Sequence, residues 1–200
     1  MGSKAEDVLV RELAERLRPR FANVWTHRKP SASPRFKAAI EARLGYVPIL
    51  QPEIDLCMRT HDGQLLAVEA KLFSGSGLTY RSPFYEGIGQ ALALHRYGFD
   101  FCSLWFLFAG GAQMEAFNRY GAEAWAFVRN DLRLPLDFTY LAVSDGPPHR
   151  FDVLQYTGRQ QGVSLLPIDD PSFVLTWKHP NPIRRSPVQQ ALRETLDEWL

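Results

Sequence analysis

This 200-residue chain has few cysteines and almost no net charge. Its two cysteines, Cys57 and Cys102, are too few for a four-cysteine iron–sulfur cluster or zinc ribbon. Each lies in an apolar run, where a reduced thiol packs well. Because 23 basic residues face 22 acidic ones and the net charge is +1, any affinity for nucleic acid must come from local clusters of basic residues.

Long hydrophobic runs are absent as well. The sequence contains no charge-free apolar stretch of membrane length, no signal peptide and no lipidation motif. We therefore expect a cytoplasmic protein without membrane association. A composition of 46% apolar and 22% charged residues is typical of a folded globular protein, and the length suits one domain over 1–200.

The most informative stretch is 52–73, PEIDLCMRTHDGQLLAVEAKLF. Apolar and polar residues alternate over its first half, which predicts a half-buried strand. The pair Asp62-Gly63 is a strong hairpin signal, and an apolar run at 65–68 predicts the second strand. This run ends abruptly in Glu69-Ala70-Lys71.

The spacing of the charged residues predicts that three of them converge. Asp55 stands seven residues before Asp62 and Glu69 seven after it, so the two acids lie opposite each other in an unbulged hairpin. Glu69 and Lys71 share a face because they are two residues apart on a strand. Two adjacent carboxylates repel unless a cation lies between them, and Mg²⁺ is usually held by one or two carboxylates. A lysine beside such an ion can orient a water or stabilise a phosphate in the transition state. The trio thus suggests a site for phosphodiester hydrolysis.

These residues resemble the pattern of the PD-(D/E)XK nuclease superfamily, in which an Asp is followed across a hairpin by (D/E)-x-K. The resemblance implies Mg²⁺, with Mn²⁺ as a substitute, bound by Asp55, Glu69 and the carbonyl of Ala70, with Lys71 next to the attacking water. The sequence departs from the pattern at Pro52-Glu53-Ile54-Asp55, which leaves Glu53 as a rival first acid. Strand parity puts Glu53 and Asp55 on one face, so we prefer Asp55.

Two further residues match features of that superfamily. Members carry a glutamate near the start of the first core helix, and Glu6 resembles it, with Glu12 and Glu15 as alternatives. A first-turn glutamate also has an ordinary explanation, since it complements the helix dipole. The sequence Gly89-Gln90-Ala91 resembles a pattern on the helix after the E-x-K strand, which implies an orienting role for Gln90. A surface glutamine would be equally ordinary there.

A basic segment free of acidic residues runs from 17 to 37 and is interrupted by prolines. It suits a phosphate backbone, with Trp25 either stacked on a base or packed in the core. His27 is notable only as part of this loop. The residues expected to contact nucleic acid are Arg28, Lys29, Arg35 and Lys37.

Periodicity and turn signals outline the remaining elements. Predicted helices cover 5–18, 36–44, 83–97, 114–127 and 187–200. Further strands are predicted at 22–27, 101–108, 136–143, 151–156 and 173–177, and a glycine–serine bridge follows Phe73. The predicted fold is α/β, a mixed central sheet flanked by helices. It resembles the restriction-endonuclease-like core over about 5–110, with a C-terminal elaboration over 111–200.

The resulting functional hypothesis is a Mg²⁺-dependent endonuclease acting on DNA, and second on RNA. Asp55, Glu69, Lys71, Gln90 and Glu6 are its candidate catalytic residues. Many such enzymes pair subunits to cut two strands, so a homodimer is a further expectation. The alternative is a protein of the same fold that binds nucleic acid or acts as a scaffold without cleaving, because charged residues are common on the exposed face of a hairpin.

Overall fold

A seven-stranded mixed sheet organises the protein, whose computed structural model describes residues 4–49, 52–74, 81–110, 117–157, 162–175 and 177–200. The strands occur in the sheet in their order along the chain. They are β1 (Asn23–Arg28), β2 (Ile54–Arg59), β3 (Leu65–Ser74), β4 (Phe101–Ala109), β5 (Asp137–Val143), β6 (Phe151–Thr157) and β7 (Gly162–Pro167). The central strands β3, β4 and β5 are parallel, whereas the two strands on either side of them pair antiparallel.

Helices cover the sheet. They are α1 (Lys4–Leu17), α2 (Pro34–Leu44), α3 (Arg81–Leu94), α4 (Ala122–Trp125, between π-helical turns) and α5 (Pro187–Trp199). The ends of α2 follow from its sequence. The Ser33 hydroxyl accepts a hydrogen bond from the Phe36 amide, and Gly45 ends the helix at a φ of 75°, a left-handed conformation that glycine adopts without strain. No helix in the described ranges is long and apolar enough to cross a bilayer.

Strand β4 shows why the sheet needs helices on both sides. Its residues are buried along nearly the whole strand and alternate between two hydrophobic clusters. Phe106 and Phe108 lie in the cluster beneath α2, α3 and α5, whereas Trp105 and Leu107 lie in the cluster beneath α1. The strand predicted at 101–108 is confirmed and is buried on both faces. The mixed sheet flanked by helices confirms the predicted α/β class.

The predicted strand at 173–177 is wrong. Its described residues pair with no strand, and the last strand is instead β7. Phe173 is buried, Val174 is 67% exposed, and Phe173, Leu175 and Trp177 pack against the α1-side cluster. Alternating burial therefore produced a period-2 pattern without strand pairing. The glycine–serine residues at 75–80, and the beginning of the helix predicted at 114, lie outside the described residues.

Candidate metal and phosphodiester site

The hairpin register places Asp55 opposite Glu69. Pairing of β2 with β3 runs from Arg59–Leu65 to Leu56–Val68, and the next step along both strands reaches these two acids. Lys71, two residues beyond Glu69, emerges on the same face of β3. The turn between the strands closes through the Thr60 amide, which donates to the Gln64 carbonyl, with Gly63 at a φ of 87°.

Two carboxylates cap the edge of β3 that extends past the beginning of β2. Asp55 Oδ2 accepts a hydrogen bond from the Ala70 amide at 2.8 Å, and Glu6 Oε2 accepts one from the Leu72 amide at 2.7 Å. These amides would otherwise be buried donors without a strand partner, which is costly. Glu6 is only 7% exposed, so α1 inserts its first-turn acid into the site that Asp55 occupies.

Glu69 and Lys71 form a buried pair, with Lys71 Nζ 2.6 Å from Glu69 Oε1. Burial, reinforced by the charge of Asp55, raises the pKa of Glu69 to about 8 against the opposing effect of Lys71. Burial alone would lower the pKa of Lys71, but the neighbouring carboxylates, Glu69 foremost, outweigh it and the pKa is raised. Lys71 is therefore a protonated donor at neutral pH rather than a base.

The site contains more carboxyl groups than ammonium groups. Burial raises the pKa of Asp55 to about 6, opposed by the Ala70 hydrogen bond and Lys71 and reinforced by Glu6 and Glu53. Apart from Lys71, the cation at this cluster is Lys29, whose Nζ lies 2.9 Å from Glu53 Oε2. Four carboxylates thus surround two described ammonium groups. Such a group of oxygen ligands fits a hard divalent cation, which would relieve their mutual repulsion.

Helix α3 packs directly over Lys71. A β-carbon on Gly87 would lie 2.8 Å from Lys71 Cγ, whereas one on Gly89 would meet nothing within 4 Å. The glycine that permits close approach is therefore Gly87, not the Gly89 of the GQA pattern. Gln90 follows Gly87 by three residues and so lies on the same helical face. Its Oε1 is buried without a hydrogen-bond partner among the described residues.

A residue that the sequence did not single out as a ligand, His27, belongs to the same region. It lies between the pairs Thr26–Leu56 and Arg28–Ile54, and hence opposite Asp55. Ligand atoms of His27, Glu53 and Asp55 all lie within 4.8 Å of one another. The sequence did not predict this contact, because it depends on the pairing of β1 with β2. About 25 residues separate the two strands, and no short turn sets their register.

The predicted basic contacts are in different environments. The Arg28 guanidinium lies over the Trp199 ring, 5.9 Å from its centroid, and Lys29 is paired with Glu53. Arg35 is exposed and Lys37 is half-buried, both in the first turns of α2. Contact of these two residues with a phosphate backbone stays a prediction.

Glu12 and Glu15, the alternatives to Glu6, interact with residues outside the site. Trp25 is not exposed for stacking on a base. Glu12 accepts a hydrogen bond from the His149 amide at 3.0 Å, and Glu15 pairs with Arg18 at 3.0 Å on the surface. Trp25 is half-buried, packs against the core and carries the Arg59 guanidinium 5.8 Å from its ring centroid. The core alternative for Trp25 therefore agrees with the structure.

Asp55, Glu69, Lys71 and Glu6 are thus brought together around the β2–β3 edge. Buried carboxylates and a protonated lysine in one cluster can bind a cation and donate to an anionic oxygen. No protein-family model matches the chain, and no curated protein is significantly similar to it.

Proposed function

We propose that the chain is a divalent-metal-dependent nuclease that hydrolyses phosphodiester bonds, with DNA as the first candidate substrate. The observation that carries the proposal is the opposition of Asp55 and Glu69 beside a protonated Lys71 in a cluster with excess negative charge. The resemblance to the PD-(D/E)XK superfamily at the same three positions supports it.

In this proposal Asp55, Glu69 and the Ala70 carbonyl hold Mg²⁺ or Mn²⁺. The Ala70 carbonyl leaves β3 on the same side as its amide, which is the side where Asp55 lies. The ion, when bound, supplies positive charge that makes an attacking water more acidic and neutralises phosphate oxygens. The water oxygen would bond to phosphorus in one step as the bond to the leaving sugar oxygen breaks, the water losing one proton to solvent and the leaving oxygen gaining one from solvent.

The other side chains act on position and charge. Lys71 is protonated and held by Glu69, so it donates to the attacking water or to a nonbridging phosphate oxygen. Gln90 has a buried amide oxygen without a described partner, and it orients the same water or phosphate. Glu6 fixes the β3 edge by accepting from the Leu72 amide.

The test is cleavage of single- and double-stranded DNA and RNA with Mg²⁺ or Mn²⁺. Glu69→Gln and Lys71→Met keep the volume of each side chain, and we expect each to reduce the rate by about 10²-fold or more. Glu41→Gln, on the exposed side of α2, is the matched control and should retain activity. Cleavage that survives the double change Glu69→Ala and Lys71→Ala would exclude the mechanism.

A second candidate function is a nucleic-acid-binding or scaffold module without catalysis. It is favoured by the hydrogen bonds that Asp55 and Glu6 accept from the amides of Ala70 and Leu72, because these bonds give both acids a structural role. A wild-type protein that binds nucleic acid but cleaves nothing across the panel would support this candidate. Sedimentation of the chain with and without DNA would test the expected homodimer.

A further inference from the structure

The cluster of His27, Glu53 and Asp55 has the dimensions of a metal site. Two ligand atoms that are each about 2.1 Å from one cation lie at most about 4.2 Å apart. The ligand atoms of these three residues lie within 4.8 Å of one another, so small side-chain rotations would close them around an ion. Strand pairing sets the arrangement, because His27 faces Asp55 across β1 and β2 and Glu53 precedes Asp55 by two residues.

The surroundings of His27 prepare its ring for a metal. Its Nε2 lies 3.3 Å from the Asp7 carbonyl oxygen. A hydrogen bond donated there leaves the Nδ1 lone pair available, which is the arrangement that metal-binding histidines commonly adopt. The Asp7 carboxylate, 3.7 Å from Nδ1, adds negative charge at the open side of the ring.

The backbone at His27 is unusual as well. Its φ of 49° lies in the left-handed region, which is uncommon for a residue with a side chain. Strained conformations of this kind concentrate at functional sites. This conformation falls where the pairing of β1 with β2 passes from Thr26 to Arg28, opposite Asp55.

We propose that His27, Glu53 and Asp55 bind a divalent transition-metal ion of the class Mn²⁺, Co²⁺ or Zn²⁺. The site adjoins the Asp55–Glu69 pair and shares Asp55 with it. One imidazole nitrogen and two carboxylate oxygens suit these ions, whereas Mg²⁺ prefers oxygen ligands throughout. Binding at this site does not require that the chain cleave nucleic acid.

Lys29 competes with the ion. Its Nζ lies 2.9 Å from Glu53 Oε2, so an incoming cation replaces one positive charge with another at that carboxylate. Removing the lysine should therefore favour the metal. We expect Lys29→Met to bind Co²⁺ at least as tightly as the wild type, and weaker binding would contradict the assignment of Glu53 as a ligand.

The deciding experiment is calorimetric titration with Co²⁺ and Zn²⁺, together with the visible absorption spectrum of bound Co²⁺. His27→Ala and Glu53→Gln should each weaken binding by at least about tenfold, and His27→Ala should alter the cobalt spectrum by removing nitrogen. His61→Ala is the matched control, since His61 is exposed in the β2–β3 turn, and it should leave both readouts unchanged. Circular dichroism establishes that each variant is folded.

An unchanged affinity and spectrum in folded His27→Ala would overturn the proposal. Glu69→Gln distinguishes it from the proposed nuclease, because this change should abolish Mg²⁺-dependent cleavage while leaving His27-dependent cobalt binding. Cobalt binding that depends on His27 in a protein without cleavage activity would uphold the site and reject the enzyme.

Discussion

Gly87 lies against the aliphatic stem of Lys71, so closely that a β-carbon at that position would approach Lys71 Cγ to 2.8 Å and Leu104 Cδ1 to 3.1 Å. The contact involves the middle of the lysine, whose amino group is held by Glu69. The Lys71 side chain therefore cannot make room for a β-carbon by moving its terminal atoms alone. Helix α3 thus fixes the stem of Lys71, and Glu69 fixes its ammonium group.

This contact predicts opposite effects at two neighbouring glycines. Gly87→Ala should displace Lys71 and reduce cleavage by at least about tenfold, because small displacements of catalytic groups are costly. Gly89→Ala enters open space and should stabilise α3 by about 0.5–1 kcal/mol. Cleavage assays and thermal unfolding of both variants would check this. Equal activity in the two variants would contradict a positioning role for Gly87.

Glu6 allows its structural and electrostatic roles to be separated. Glu6→Gln retains an oxygen that can accept from the Leu72 amide, so we expect near wild-type stability with weaker Mn²⁺ binding. Glu6→Ala leaves that amide without its partner and should cost about 1–3 kcal/mol of unfolding free energy. Denaturant unfolding and metal titration measure the two effects, with exposed Glu15→Ala as the control. Equal stability of both Glu6 variants would show that the hydrogen bond contributes little.

The raised carboxyl pKa values predict how stability depends on pH without metal. Glu69 has a pKa of about 8 in the folded protein against a reference value of 4.5. Between these values the folded state retains a proton that the unfolded state releases, so the free energy of unfolding falls as pH rises, by on the order of a few kcal/mol. Asp55, with a pKa of about 6 against 3.8, adds to the fall at lower pH.

Denaturant unfolding from pH 4.5 to 8.5 in a chelating agent would measure this slope. Glu69→Gln should flatten it between pH 6 and 8, where Asp55 contributes little. Glu41→Gln, an exposed substitution, should keep the wild-type slope. A stability that rises with pH over this range would contradict a pKa of Glu69 raised by burial.

Metal binding should show the reverse dependence on pH. Because carboxylates bind metal in their ionised form, affinity for Mn²⁺ should increase by up to about tenfold per unit as pH rises towards 8. Calorimetric titrations at pH 6.5 and 8.0 would measure it, and Glu69→Gln should reduce the increase. An affinity independent of pH would argue against Glu69 as a ligand.

The basic residues of α2 predict the salt dependence of DNA binding. Arg35→Ala and Lys37→Ala should each weaken binding to duplex DNA and reduce the slope of log affinity against log salt by about 0.9. Arg11→Ala, an exposed change on α1, is the control. Fluorescence anisotropy at several salt concentrations would check this. Slopes unaffected by either change would show that Arg35 and Lys37 do not contact the DNA phosphates.

Local signals in the sequence were sufficient for most elements of the fold. The Asp62-Gly63 turn fixed the β2–β3 register, and with it the opposition of Asp55 and Glu69, because a short hairpin leaves little freedom of pairing. Helix α2 ends at Leu44, as predicted, because Gly45 caps it, whereas the Ser33 cap begins the helix at Pro34, two residues before the predicted position 36. The predictions for Mg²⁺, nucleic acid and catalysis remain predictions.

Features that depend on contacts between segments far apart in the sequence could not be predicted. His27 reaches Asp55 through a strand pairing across a long connection, and Lys29 reaches Glu53 for the same reason. The role of Gly87 depends on how α3 lies on β3, which helical periodicity alone does not specify. Strand β7 is short, and Leu165 within it is 52% exposed, so its burial pattern gave little signal.

The order of strands in the sheet has a consequence for how the protein reaches its native state. Each strand borders its immediate predecessor and successor in the chain, so no strand must wait for a partner made much later. The sequence separation of paired strands is therefore smaller than in a sheet whose neighbours come from distant parts of the chain, which favours faster folding. On a ribosome, the two strands that carry Asp55, Glu69 and Lys71 can pair before the C-terminal half has been synthesised.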